Sequence, residues 1–304
     1  MSTLPNHRRA EAGFTLVEVL IATVVGVVVL AASTSMAIAS WRGLAGVELR
    51  DGIDRNARFL GTALRRDLQE AGVDLESQPG FGSLMVANDT LSVLRVPYDP
   101  GPAPAYSLTN ANFADGVCGA TCVELDPSAG LPQLAAGDLA RLQANNQRRL
   151  ILITAVSSTA GAFRVQFTTA DSLLGRPAGI TGLVINPSST FIQRLVSTTY
   201  WSEGGQLMRA QRLASTGAPA GEVVATGVQS FDVSLVFTDG DEAAAANPND
   251  GDGTNDYDDI AGVRIRVTLN ADRTDPRVNN GAALTRTREW YLVPRNLVYE
   301  RNRF

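Results

Sequence analysis

The sequence predicts an α+β protein in which one long N-terminal helix packs on an antiparallel β-sheet domain. Three observations carry this. An uncharged apolar run occupies Val19 to Trp41. A helix-period apolar stripe continues it to Ala71. Beyond Gly72 the periodicity switches from about 3.6 to 2, with turn residues between short apolar segments.

The chain opens on residues 1–13, short and basic, with Arg8 and Arg9 ahead of Gly13. Val19 to Trp41 then reads VLIATVVGVVVLAASTSMAIASW. At 1.5 Å per residue such a run spans a bilayer core of ~30 Å. The arginines before it place the N-terminus in the cytoplasm and the remainder outside. A cleaved secretory signal is the plain alternative. The run is longer than the usual ~7–15 residues of that signal's apolar region, and the helical pattern continues past Ala37-Ile38-Ala39.

Glu18 stands as a lone carboxylate at the head of this run. A charge in hydrocarbon is costly and marks function. The other account places it at the lipid headgroups.

From residue 42 the stripe continues through Ile53, Ala57, Leu60, Leu64, Leu68 and Ala71, at steps of three and four. Arg55, Arg58, Arg65, Arg66, Asp67 and Glu70 fill the other face. Gly72 is the predicted C-cap, and Pro79-Gly80 follows. A helix from Phe14 to Ala71 would be roughly 87 Å long.

Strands are predicted at Thr90–Val96, Asp138–Gln143, Leu150–Val156, Phe163–Phe167, Ile192–Trp201, Gln206–Arg209, Val228–Phe237, Gly262–Asn270 and Thr285–Val293. The clearest alternation is Val263-Arg264-Ile265-Arg266-Val267-Thr268-Leu269. Gly204-Gly205 reads as a hairpin turn.

Composition excludes much chemistry. The chain has one histidine, His7, and all 26 basic residues are arginine. Histidine relays, Schiff-base lysines and a phosphate-loop lysine are therefore ruled out. The formal charge of -5 is local: Asp239 to Asp259 hold eight acids and no base, and elsewhere 26 basic residues face 23 acidic ones. No dense basic stripe suggests nucleic acid. Paired carboxylates on rigid elements, as glycosidases need, are not visible either. The reading is a structural protein, not an enzyme.

Two further sites are candidates. Cys118 and Cys122 bracket Gly-Ala-Thr. Outside the cytoplasm this pair is expected to be a structural disulfide; the spacing does not suit a CxxC redox centre, and zinc would lack histidine ligands. The loop Asn247 to Asp259 alternates acids with glycine, a pattern that suits Ca²⁺ through Asp250, Asp252, Thr254, Asp256 and Asp258. It is not an EF-hand, since Asn255 and Ala261 stand where glycine and glutamate belong. The plain account is a solvated hairpin tip. No other cofactor is expected.

The N-terminal residues Gly13-Phe14-Thr15-Leu16-Val17-Glu18, with the apolar run behind them, resemble the signal of type IV prepilins and of type II secretion pseudopilins. That resemblance implies cleavage after Gly13 by prepilin peptidase and N-methylation of Phe14. It also implies that Glu18 meets the N-terminal amine of a neighbouring subunit during assembly. Pairing offsets the desolvation of both charges. Unlike many major pilins, this helix carries no proline between Phe14 and Gly72. Thr199-Tyr200-Trp201 through Arg209, Val223 to Phe231, and a terminal strand ending Leu292-Val293-Pro294-Arg295-Asn296 are similar to PilW-type minor pilins and, more distantly, to the minor pseudopilin GspJ.

The organisation implied is a leader (1–13), a transmembrane and assembly helix (14–41), its amphipathic continuation (42–76) and a periplasmic β-rich pilin domain (77–304). The function implied is that of a minor pilin that initiates pilus assembly or sits at the tip; the alternative is a minor pseudopilin of a type II secretion system. Implied partners are other minor pilins, the major pilin, prepilin peptidase and the inner-membrane assembly platform. The expected location is the inner membrane, then the pilus.

Overall fold

The computed structural model describes residues 15–98, 101–109, 121–126, 132–145, 147–159, 162–170, 189–211, 221–248 and 252–301. Helix α1 runs Leu16–Gln69. An antiparallel β domain follows it, the arrangement of a type IV pilin-like α+β fold.

Two compact units are present. One comprises Met1–Asp51 with Arg273–Leu284, and the other Gly52–Asp272 with Thr285–Phe304. In the first unit the apolar side chains from Leu16 to Leu30 are exposed without exception among the large ones, Leu16 at 81% and Leu30 at 67%. The hydroxyls in this stretch bond back to the helix itself. Thr23 Oγ1 donates to Val19 O, Ser33 Oγ to Val29 O and Thr34 Oγ1 to Leu30 O. That satisfies each polar group without water, which is what a lipid environment demands. Arg273 Nη2 lies 2.7 Å from Glu48 Oε1.

In the second unit the expected stripe is the buried face of α1. Ile53, Ala57, Leu60, Leu64 and Leu68 are all 3% exposed or less. Each large aliphatic so buried contributes about 1.5–3 kcal/mol. The helix stops at Gln69, short of the expected Ala71 and of the continuation expected over 42–76. Gly72 adopts φ 75° and its N–H donates to Leu94 O at 3.0 Å. A left-handed residue there reverses the chain without a Cβ penalty.

Among the described residues the larger sheet has ten strands. They are β1 (Leu84–Ala87), β2 (Thr90–Arg95), β3 (Ala105–Ser107), β4 (Cys122–Leu125), β5 (Leu139–Ala144), β6 (Gln147–Thr159), β7 (Ala162–Thr169), β8 (Thr190–Glu203), β9 (Gln206–Ala210) and β10 (Glu222–Thr226). Its order is β1-β2-β8-β5-β6-β7-β4, with β3 and β9 also on β8, and β10 on β9. Strand β8 is the spine: its first half pairs β5 and β3, and its second half pairs β2 and β9. The β8–β9 hairpin turns through Gly204 and Gly205 at φ 58° and 75°, a two-residue turn that only glycine-like backbones reach cheaply. Tyr106, Leu142, Ile151, Ile153, Val165, Phe167 and Ile192 form much of this sheet's core.

The second sheet has the order β12 (Glu242–Ala243), β11 (Val228–Phe237), β13 (Ile260–Asn270), β14 (Thr285–Leu292). The alternation in β13 places Val263, Ile265, Val267 and Leu269 inside at 0% exposure. Arg264 and Arg266 face outward onto Glu289 of β14.

The short strands β1, β3, β4, β10 and β12 are additions to the expected set, too brief for a period-two signal. One expectation is corrected. The terminal strand stops at Leu292, and Arg295–Arg301 form helix α2. Pro294 explains the change: it cannot donate to a ladder, and its fixed φ suits a helix start.

Candidate functional site

The first turn of α1 is built by Thr15 and Glu18. Glu18 N–H donates to Thr15 Oγ1 at 3.3 Å, while Thr15 N–H and Thr15 Oγ1 each donate to Glu18 Oε2 at 3.2 Å. This reciprocal pattern is a capping box. It satisfies orphan amides at the helix N-terminus, and the carboxylate also faces the positive end of the helix dipole. The threonine and glutamate of the motif thus have a local task, one the sequence reading of Glu18, in assembly or at the lipid headgroups, did not include. The Thr-x-x-Glu spacing ahead of an apolar run was the available signal.

Glu18 also borders a shallow apolar groove with Val19, Ala22, Thr23, Gly26, Val27 and Leu30. Gly26 leaves open space, since a Cβ there would meet nothing within 4 Å. The helix is long and apolar enough to cross a membrane. The carboxylate thus heads a stretch, Leu16 to Leu30, whose large apolar side chains are all exposed.

Residues 8–34 match the prokaryotic N-terminal methylation motif. The chain carries a type IV prepilin-like signal. No curated protein matches the chain. The motif spans the Gly13–Phe14 junction and Glu18, and it supports a type IV pilin or pseudopilin subunit, a structural role. It implies processing by prepilin peptidase and assembly with other pilins. The apolar helix near the N-terminus points to membrane anchoring, as in prepilins. Gly13 and Phe14 themselves lie outside the described residues.

The remaining candidates divide. Cys122 heads β4 at 1% exposure, and no cysteine among the described residues is free. Its expected partner, Cys118, lies outside the described residues. Asp250 does too. Of the other proposed calcium ligands, Asp252 is exposed and caps its own loop, its Oδ1 accepting from Thr254 N–H at 3.0 Å and Thr254 Oγ1 at 3.1 Å. Asp256 instead turns inward, 6% exposed. The neighbouring Tyr257 sets that direction: it is 3% exposed and its N–H donates to Pro79 O. Among the described residues no three acids, cysteines or histidines gather where they could hold a metal. Burial, with the charge of Asp259 adding to it, raises the pKa of Asp258, although its own backbone hydrogen bond works the other way.

Sequence reading missed a buried polar knot. Asp67 of α1 is 6% exposed and meets Arg209 of β9, with Oδ2 2.7 Å from Nε and Oδ1 3.2 Å from Nη2. Tyr200 of β8 donates its hydroxyl to the same Oδ2. Burial, followed by the Asp67 carboxylate, pushes the Tyr200 phenol far up. The Asp67 hydrogen bond is the first cause that raises Arg209. A second knot joins Asp54 of α1 to Arg286 and Arg288 of β14 at 2.7 and 2.6 Å. Nothing in the sequence order announces either, since the partners lie more than 130 positions apart.

Proposed function

We propose that this chain is a minor pilin of a type IV pilus, of the PilW type, that helps to initiate assembly or sits at the tip. The observation that carries the reading is the lone Glu18 at the head of an apolar helical stretch, Leu16 to Leu30, whose large side chains are all exposed, within a methylation-motif match. Cleavage after Gly13 would create an amine on Phe14, four residues before Glu18. In a filament the helix faces of neighbouring copies would cover one another, and each amine would find the carboxylate of a neighbour. The charge pair then offsets desolvation that an isolated buried charge could not. The β domain supplies the surface that faces neighbours or solvent. The short segments around Tyr200-Trp201 and Val223 to Phe231 favour the PilW type. Residence in the inner membrane with the N-terminus in the cytoplasm, followed by transfer to the pilus, belongs to the same reading. So do contacts with the other minor pilins, the major pilin and the assembly platform. We also propose that Cys118 and Cys122 form a disulfide bond.

Mass spectrometry of the mature N-terminus tests the processing step: the chain should begin at Phe14 with one added methyl. A mature chain that starts after Ala39, or retains Met1, would remove the reading. Recovery of the protein in sheared pili, and not in a secretion pseudopilus, tests the type.

A further inference from the structure

A cavity of about 500 Å³ lies in the second unit, between the turn after α1, strands β5, β6 and β8, and helix α2. It is within the range that small-molecule sites occupy. Two guanidinium groups converge on it. Arg148 of β6 is 6% exposed, and Arg141 of β5 is half-buried beside it. Gln143, Phe191, Asn296 and Tyr299 complete much of the wall.

The arginines are held in place before any ligand arrives. The Arg141 guanidinium lies over the Phe191 ring, 5.3 Å from its centroid. Arg141 Nη2 donates to Gln193 Oε1, a neutral acceptor. Arg148 donates to Glu76 O and, at 3.2 Å, to Glu76 Oε2. These contacts leave donors over. The Nε atoms of both Arg141 and Arg148 are buried with no hydrogen-bond partner among the described residues. Those Nε atoms are enclosed by protein, so a ligand in the cavity meets only the outer nitrogens of the two guanidinium groups. No carboxylate among the described residues forms an ion pair with Arg141. Burial, then the nearby charge of Arg148, lowers its pKa to about 10. The two acids on the wall, Asp74 and Glu76, are exposed, and Glu76 is already engaged by Arg148.

We propose that this cavity is a binding site for a small molecule bearing a carboxylate, with Arg141 as its principal contact. A carboxylate offers two coplanar acceptors, which match the fork of a guanidinium. Phe191 fixes the plane of that fork, much as aromatic faces hold arginine elsewhere. Gln143 and Asn296 add side-chain amides to the wall, each already donating one N–H to the backbone, at Asn145 O and Ala71 O, and Tyr299 supplies a ring and a hydroxyl at the open side. Carboxylates of this size come from two sources, acidic sugars and peptide C-termini. The proposal is independent of the assembly reading, because the residues concerned lie outside the methylation motif.

The test is calorimetric titration of the full chain in neutral detergent micelles. The probes are D-glucuronate and N-acetyl-Ala-Ala with a free carboxylate, each against its neutral twin, D-glucose and the peptide amide. Binding of either acid but not of its twin supports the site, and the acid that binds names the source. Arg141→Gln should weaken that binding by more than tenfold, and Tyr299→Ala by a few fold. Should Arg141→Gln fail to fold, Tyr299→Ala decides, because Tyr299 is 68% exposed and its truncation leaves the core intact. The proposal is overturned if neither acid gives heat, if acid and twin bind alike, or if the folded variants bind as the parent does.

Discussion

The hydroxyl of Tyr200, in the middle of the β8 spine, donates to the carboxylate of Asp67 on α1, and Arg209 closes on the same carboxylate from β9. The helix is thereby tied to the larger sheet by a buried charge with two partners. Removing one partner of such a pair strands the other in low dielectric. Asp67→Ala should therefore cost about 3 kcal/mol, at the lower end for a buried pair because the Arg209 side chain keeps 18% of its exposure. Tyr200→Phe should cost about 2 kcal/mol, the range for a hydrogen bond to a charged group, since Arg209 still pairs Asp67. Glu222→Ala should change little, since Glu222 meets Arg209 from a side chain that is 71% exposed. Guanidinium denaturation of the three variants checks the order.

Asp54 and Glu289 predict acid sensitivity. The hydrogen bond from Arg288 lowers the pKa of Asp54 below its ordinary 3.8, and that from Arg264 lowers Glu289 below 4.5. A carboxylate depressed in the folded state adds stability above its unfolded pKa and loses it as pH falls through the folded value. The melting temperature should thus fall as the pH is taken below about 4.5. In an Asp54→Asn, Glu289→Gln double variant that fall should be shallower. An identical pH profile would refute the contribution.

Glycine positions in α1 should respond with opposite signs. A Cβ on Gly61 would lie 2.8 Å from Trp290 Nε1, whereas one on Gly52 would meet nothing within 4 Å. Gly52→Ala should stabilise by about 0.5–1 kcal/mol through helix propensity alone. Gly61→Ala should destabilise by roughly 1–3 kcal/mol, because the half-buried indole packed against the helix must move. Thermal melts of the two variants side by side would measure the difference.

Glu18 has a capping task in the structure and an assembly task in the proposed function, and substitution can separate them. Glu18→Val removes both cap and charge; it should leave membrane insertion and cleavage intact and impair incorporation into pili. Glu18→Gln keeps an acceptor for the Thr15 cap but loses the charge. If assembly depends on pairing with an amine, Gln should fail nearly as fully as Val. Normal piliation with Gln would instead assign Glu18 to the cap, whose loss costs only about 1 kcal/mol. Immunoblots of sheared pili provide the readout.

The parts legible in the sequence were those with a short-range period or a contiguous motif. The apolar run, the stripe from Ile53 to Ala71, the Gly72 cap, the Gly204-Gly205 turn and the alternation through Val263 to Leu269 all depend on neighbours within a few residues. Local backbone geometry and burial of one face are enough to specify them. The processing motif is of the same kind. What the sequence left open was decided by pairing across long separations. Strand β8 could be read as a strand, but not as the spine shared by β2, β3, β5 and β9. Asp67 read as one more charge on a solvated helix face, until Tyr200 and Arg209 enclosed it. Arg141 read as a polar position of a predicted strand and Arg148 lay outside the predicted strands, until β5, β6 and α2 closed a cavity around them. In each case the environment of the side chain is made by elements brought together only by folding, and burial and charge partners, which set its chemistry, have no local signature.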